Sequence, residues 1–219
     1  MHRWAKLLYF SVVFAGLIVA PACKSSKRAE KGDSDAGSAS DDSAAHIDIL
    51  CVGERINNPP EAFHYSYKYS GSSGSIDNEA DITQQAMEIT RKDSSGSHSY
   101  HGVRSDENSW NNAVLDLSGL RFTGLSARLD SLNGTSALVR QGEESVNGYS
   151  TAKYAIDTTR ANSSDRQQFE TLFGKGSFEK GTIWVPADGC AVKLALDEAI
   201  VQNDGTVDKG HYDLALIKR

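Results

Sequence analysis

Proline is scarce in this 219-residue chain, with four residues, cysteine is scarcer, with three, and the 19 glycines follow no repeat. Those shortages exclude a collagen-like or proline-rich fibre. Basic charge is also short. The 23 Lys and Arg stand against 29 Asp and Glu, a formal net charge of −6, and basic residues are not interleaved with aromatic ones, which excludes nucleic acid as a partner. No apolar stretch after residue 22 is long enough to span a bilayer. What remains is an ordinary globular composition, 39% hydrophobic and 8% aromatic, in a length that allows one domain with tails but not two large domains.

The first 45 residues read as an address. Arg3 and Lys6 precede an uncharged apolar run over residues 7–20, closed by Ala20-Pro21-Ala22. That order predicts a secretory signal over residues 1–22, because the run falls short of the roughly 20 residues a spanning helix needs. A retained anchor helix is the competing reading. Cys23 follows directly, and its placement resembles the lipobox of bacterial lipoproteins, in which this thiol is acylated. Ala20 and Pro21 depart from the usual lipobox, so an ordinary cleavage exposing an unmodified Cys23 stays open beside lipidation. Residues 24–45 contain only Lys, Ser, Arg, Ala, Glu, Gly and Asp, nothing that could offset ordering entropy by burial. They predict a disordered tether with a reach of about 25 Å. The expected location is the cell envelope, outside the cytoplasm, with the membrane engaged through the N-terminal acyl anchor. Lys24 after the acylated Cys is compatible, by analogy with lipoproteins, with outer-membrane sorting.

Cys51 and Cys190 remain as a pair that an oxidising compartment would allow to join. Two separate buried thiols are the alternative. Neither belongs to a CxxC motif, so thiol redox catalysis is not expected.

The folded body is expected over residues 46–219. Ile47, Ile49, Leu50 and Val52 form a short apolar stretch ended by Pro59-Pro60, which predicts a short helix. Phe63, Tyr65, Tyr67 and Tyr69 alternate with His64, Ser66, Lys68 and Ser70, so an extended backbone puts all four rings on one face. Residues 71–74 break that strand. Residues 80–91 mix helical spacing with strand composition and are read as a strand with a bulge. A strand over residues 97–104 precedes a helix capped by Ser105 or Asp106, whose Trp110, Ala113, Val114 and Leu117 share a face. Ser118-Gly119 separates it from a second helix carrying Phe122, Leu125, Leu129 and Leu132. With strands on both sides in sequence, a sheet face is the expected place to bury both stripes.

Strands are then expected over residues 135–144, 149–157, 180–185, 190–201 and 207–218, with Asn147-Gly148, Asp188-Gly189 and Asp204-Gly205 as turns between antiparallel neighbours. One helix intervenes, with Ser164 and Gln167 as a capping box, Phe169 and Leu172 as its stripe and Gly174 as its stop. About eight strands and two or three helices make an α+β fold on an antiparallel sheet.

Two stretches carry a resemblance. Gly142-Glu-Glu-Ser-Val-Asn-Gly148 with Lys153-Tyr154-Ala-Ile-Asp157, and Gly181-Thr-Ile-Trp-Val185 with Asp188-Gly189-Cys-Ala-Val-Lys193, resemble hairpins of LolA-like and LppX-like lipoproteins. The likeness spans residues 135–219 and extends to the first half only in element order; the chain also resembles uncharacterised bacterial lipoproteins without an assigned activity. It implies a curved half-barrel of antiparallel strands covered by helices, with lipid or acyl chains between them. It transfers no functional residue, since that group recognises its guest with an apolar surface.

Catalytic signatures are missing. Gly71-Ser-Ser-Gly74 lacks GxSxG spacing, and Gly174-Lys-Gly176 follows a helix instead of opening one, so it reads as a helix stop and not a phosphate loop. His98 and His101 fall on opposite faces of a strand, as do the adjacent Glu143 and Glu144, so neither a metal site nor a carboxylate pair is expected. No cofactor is expected, and an unrecognised hydrolase is the least favoured reading. The candidate site is the ring face of Phe63, Tyr65, Tyr67 and Tyr69, with Trp110, Leu117, Tyr154 and Trp184 as neighbours. It would line a cavity for a lipid or other amphipathic small molecule, or it is simply core. The leading expectation is a non-enzymatic envelope lipoprotein that binds or carries a hydrophobic ligand. The alternative is an interaction or structural module with a filled core that contacts envelope proteins.

Overall fold

The computed structural model describes residues 46–118 and 120–219, the side chains of residues 50, 118 and 120–123 excepted. The expected signal segment, Cys23 and the tether lie outside the described residues. The body opens with α1 (Leu50–Asn57), then a four-strand meander of β1 (Phe63–Gly71), β2 (Gly74–Ile82), β3 (Ala86–Asp93) and β4 (Gly96–Val103). Two helices follow, α2 (Glu107–Ser118) and α3 (Leu120–Ser131). The second half runs β5 (Leu138–Val146), β6 (Tyr149–Asp157), α4 (Ser163–Phe173), β7 (Phe178–Val185), β8 (Lys193–Val201) and β9 (Val207–Lys218).

All nine strands join one curved, unclosed antiparallel sheet in the order β4-β3-β2-β1-β9-β8-β7-β6-β5. The two meanders therefore meet at the middle, where β1 pairs with β9 from Phe63↔Lys218 to Gly71↔Gly210. The two edge strands, β4 and β5, are neighbours in sequence, and the chain between them must cross the whole layer. Nine strands at about 4.8 Å spacing make a layer about 38 Å wide. Two helices of 12 residues supply about 18 Å each, and they share the crossing: α2 packs on β4 and β3, and Arg128 of α3 reaches Glu179 on β7 and Glu198 on β8. That requirement explains the helical cover. It is fixed at its start by Gly102, where a Cβ would stand 3.0 Å from the Ala113 methyl and 3.1 Å from Met87, so α2 comes close to the backbone of β4. Arg91 on β3 adds an ion pair to Asp116 of α2 at 2.9 Å.

The fold class expected from the sequence is the observed one, with nine strands instead of about eight and four helices instead of two or three among the described residues. Residues 80–91 are not one bulged strand. They hold the end of β2, a turn, and most of β3, and the turn is closed by Thr83, whose hydroxyl accepts from the amides of Gln85 (3.3 Å) and Ala86 (3.0 Å). The bulge lies in β5 instead, between Arg140 and Gly142. The cap of α4 is Asn162 and not Ser164: its side-chain oxygen accepts from the Asp165 amide at 2.9 Å. Phe169 is buried as expected, but Leu172 is 58% exposed, and Phe173 packs against Phe169 in its place, with ring centroids 4.9 Å apart.

Cys51 and Cys190 form a disulfide, with Cα atoms 5.6 Å apart. It ties α1 to the segment before β8, where the Asp48 amide also donates to the Gly189 carbonyl at 3.1 Å. Asn133, just after α3, holds both backbone groups of Ile47 through its side chain, at 2.8 and 3.0 Å.

Candidate functional site

The pleat of β1 sends Phe63, Tyr65, Tyr67 and Tyr69 to the face that the helices cover. Tyr67, Leu214, Leu194, Ile183 and Tyr154 stand opposite one another across five adjacent strands, so they form one inner-face row. Tyr212 on β9 joins the rings of β1, with its centroid 5.0 Å from Tyr69 and 6.5 Å from Tyr67. Trp110 and Leu117 are buried on α2. Tyr154 shares the layer but sits four strands from β1, about 19 Å away. Trp184 does not join them. Its neighbour Ile183 takes the inner side, and the indole lies on the opposite face between Lys193 (4.4 Å to the ring centroid) and Lys153 (5.3 Å), with its N–H donated to Glu144.

Phe63, Tyr65, Tyr67, Tyr69 and Leu117 are each 0–3% exposed. Surfaces lining a water-sized void would count as exposed, so these side chains are in contact with protein on all sides. Among the described residues, the enclosed space found beneath α4, between Leu132, Ala137 and Phe169, is about 10 Å³, room for one water. A larger hollow of about 470 Å³ opens on the outside, at the strand ends near Lys68, Asp77, Lys92, His211 and Asp213.

The inner face is not wholly apolar. Glu179 on β7 and Glu198 on β8 are direct cross-strand partners, both buried, and both point to the covered side. Two carboxylates so placed repel unless a cation joins them. Arg128 of α3 does so, donating from Nε to Glu179 at 2.6 Å and from a terminal nitrogen to Glu198. The Tyr212 hydroxyl donates to the other oxygen of Glu198 at 2.7 Å. Gly210, opposite Glu198, provides the space, since a Cβ there would stand 2.8 Å from the Tyr69 ring and 3.0 Å from the Glu198 carboxylate. Burial pushes Glu179 up to about 7 despite Arg128, and it also raises Glu198. Burial works against the charge on Arg128, but Glu179 and Glu198 outweigh it and hold the guanidinium above its usual range. The cluster thus has one permanent cation and one carboxyl that titrates near neutrality. Sequence reasoning missed it. The available signal was a Glu in phase with the inner apolar residues of each strand, Glu179 with Ile183 and Glu198 with Leu194 and Leu196.

Two histidines on the outer face are each set between carboxylates: His64 between Asp81 (2.7 Å) and Glu79 (2.8 Å), and His211 between Asp197 (2.7 Å) and Asp213 (3.1 Å). The hydrogen bond to Asp197 raises His211. His98 and His101 diverge, as their parity requires: His98 meets Ser95 at 3.0 Å, whereas His101 pairs with Glu88. Among the described residues, no group of three or more His, Cys, Asp or Glu is arranged to hold a metal ion. No helix among them is long and apolar enough to cross a membrane. No family model matches the sequence, and no curated protein matches it significantly.

Proposed function

We propose that this chain is an exported, membrane-tethered envelope lipoprotein without catalytic activity, whose filled half-barrel acts through its surface and not by enclosing a guest. The signal pattern before Cys23 and the polar residues after it support the tethered part of the reading. The observation that carries the rest is the burial of the four β1 rings, each 0–3% exposed on the face that the helices cover. Native mass spectrometry of the protein extracted gently from membranes tests it. The expected species is the chain with its anchor and no further lipid, and a fluorescent fatty acid is expected not to bind. A stoichiometric lipid on the extracted protein would overturn it.

A second reading, a carrier of an amphipathic molecule as the LolA-like resemblance implies, is favoured by one observation. The Tyr65 hydroxyl and the Trp110 indole N–H are buried without hydrogen-bond partners among the described residues. Each such group costs about 1–3 kcal/mol, and a guest bearing an acceptor would satisfy one or the other once α2 moved aside. Trp110→Phe separates the two readings. In a filled core it lowers the melting temperature and no lipid is recovered from either form, whereas in a carrier the parent yields lipid and the variant yields less.

A further inference from the structure

The two edges of the sheet are built differently. The β5 edge is guarded by its bulge and by the charges of Arg140, Glu143 and Glu144, devices that stop one sheet from adding to another. β4 carries none of them. It reads Gly-Ser-His-Ser-Tyr-His-Gly-Val, with no Pro and no Lys, Arg, Asp or Glu, and stays in unbroken register with β3 from Ala86↔Val103 to Asp93↔Gly96.

The free backbone groups can be assigned by parity. The Arg104 amide donates inward, to the Gln85 carbonyl at 2.8 Å, so even-numbered residues of β4 bond to β3 and odd-numbered ones point away from the sheet. At one end α2 satisfies them: the Val103 amide donates to the Ser109 hydroxyl at 3.2 Å, and that hydroxyl donates to the His101 carbonyl at 3.1 Å. Beyond that seal, the amides of Ser97, Ser99 and His101 and the carbonyls of Ser97 and Ser99 have no partner among the described residues.

We infer that this open edge pairs with the same edge of a second copy of the chain, antiparallel about a two-fold axis at Ser99. In that register Ser99 faces its own copy and Ser97 faces His101 of the other chain. Each residue meets one on the same face of the sheet, and the register makes about six N–H···O bonds, of which four join free groups and two run from the Ser97 amides to His101 carbonyls that also accept from Ser109. His98 comes beside Tyr100 of the second chain on the inner face, covering a tyrosine that is 40% exposed in the single chain. The strand bears no fixed charge, so the acidic net charge of the chain is not concentrated across the axis. The inference rests on the surface-acting reading for its role, naming the partner, but its geometry does not depend on an empty interior.

Sedimentation of the full chain in mild detergent, between about 1 and 100 µM, tests the inference, because an edge contact this small binds in the micromolar range. The expected result is a monomer passing to a dimer within that range. Ser99→Pro removes an outward amide without touching a bond to β3, and Ser99→Lys sets two ammonium groups across the axis. Both variants are expected to melt like the parent and to remain monomeric, while the same change at the other edge, Val139→Lys, leaves the dimer intact. A parent that stays monomeric, or Ser99 variants that dimerise like it, would overturn the inference. Lipid content is read separately by mass, so failure of the dimer and failure of the filled-core reading are distinguishable.

Discussion

Arg128, Glu179 and Glu198 set the chemistry of the interior at the scale of single residues. Burial is what holds a proton on Glu179 up to about 7, against an ordinary 4.5; Arg128 opposes it, and the Glu198 carboxylate adds a smaller upward push. Between those two values the folded chain keeps a proton that the unfolded chain has released, so stability falls as pH rises through that window and is flat above it. The contribution is on the order of 3 kcal/mol. Glu179→Gln removes the titrating group, so its urea midpoint is expected to change less than the parent's between about pH 5 and pH 8, and to exceed the parent's at the higher pH. Arg128→Met has the opposite consequence. It leaves two facing carboxylates buried without a cation, at a cost of about 3–5 kcal/mol, with the loss smaller at pH 5 where the carboxyls protonate. Equal losses at both pH values would show that Arg128 contributes through packing alone.

Elements were legible in proportion to how much of their own stability they carry. β1 announces itself by four alternating rings, and α2 by a stripe that the fold buries at Trp110, Ala113 and Leu117. β2 does not. Its inner positions are Ile76, Asn78, Ala80 and Ile82, little apolar surface, and three of its outer positions are acidic. It is a strand because β1 and β3 pair with it on both sides, a tertiary cause that local composition cannot report. The candidate site divides the same way. The parity of β1 correctly placed its rings together, but Trp184 was grouped with them although its phase along β7 is set by Ile183, and the glutamate pair needs the β7–β8 register to become visible. Two changes probe elements directly. Asn162→Ala removes the acceptor for the Asp165 amide and is expected to cost about 1 kcal/mol, read as a shift in melting temperature. Gly102→Val pushes a branched side chain against Ala113 and Met87, so it is expected to cost about 1–3 kcal/mol and to loosen α2, with faster amide exchange across that helix than in β9.

The whole molecule is closed by its most distant contacts, because its first and last strands are the two central ones. β1 and β9 pair residues about 150 positions apart, so neither meander has its inner edge covered until nearly the entire body has been made. The consequence differs from the usual tolerance of chain ends: a chain lacking β9 is expected not to fold, since it loses the middle of the layer and not a fringe. The disulfide acts on the same closure. By joining Cys51 to Cys190 it shortens the path between the ends of the β1–β9 pair from about 150 residues to about 40, which lowers the cost of bringing them together by about 1 kcal/mol. If that pairing limits folding, the oxidised chain refolds from denaturant roughly sevenfold faster than the Cys51→Ser, Cys190→Ser variant. The variant also loses about 4–5 kcal/mol of stability on the chain-entropy account. Stopped-flow fluorescence of the tryptophans after dilution from guanidinium measures the first and equilibrium unfolding the second. Equal refolding rates with a large stability difference would place the β1–β9 pairing after the rate-limiting step, so that the bridge would act by slowing unfolding and not by hastening assembly.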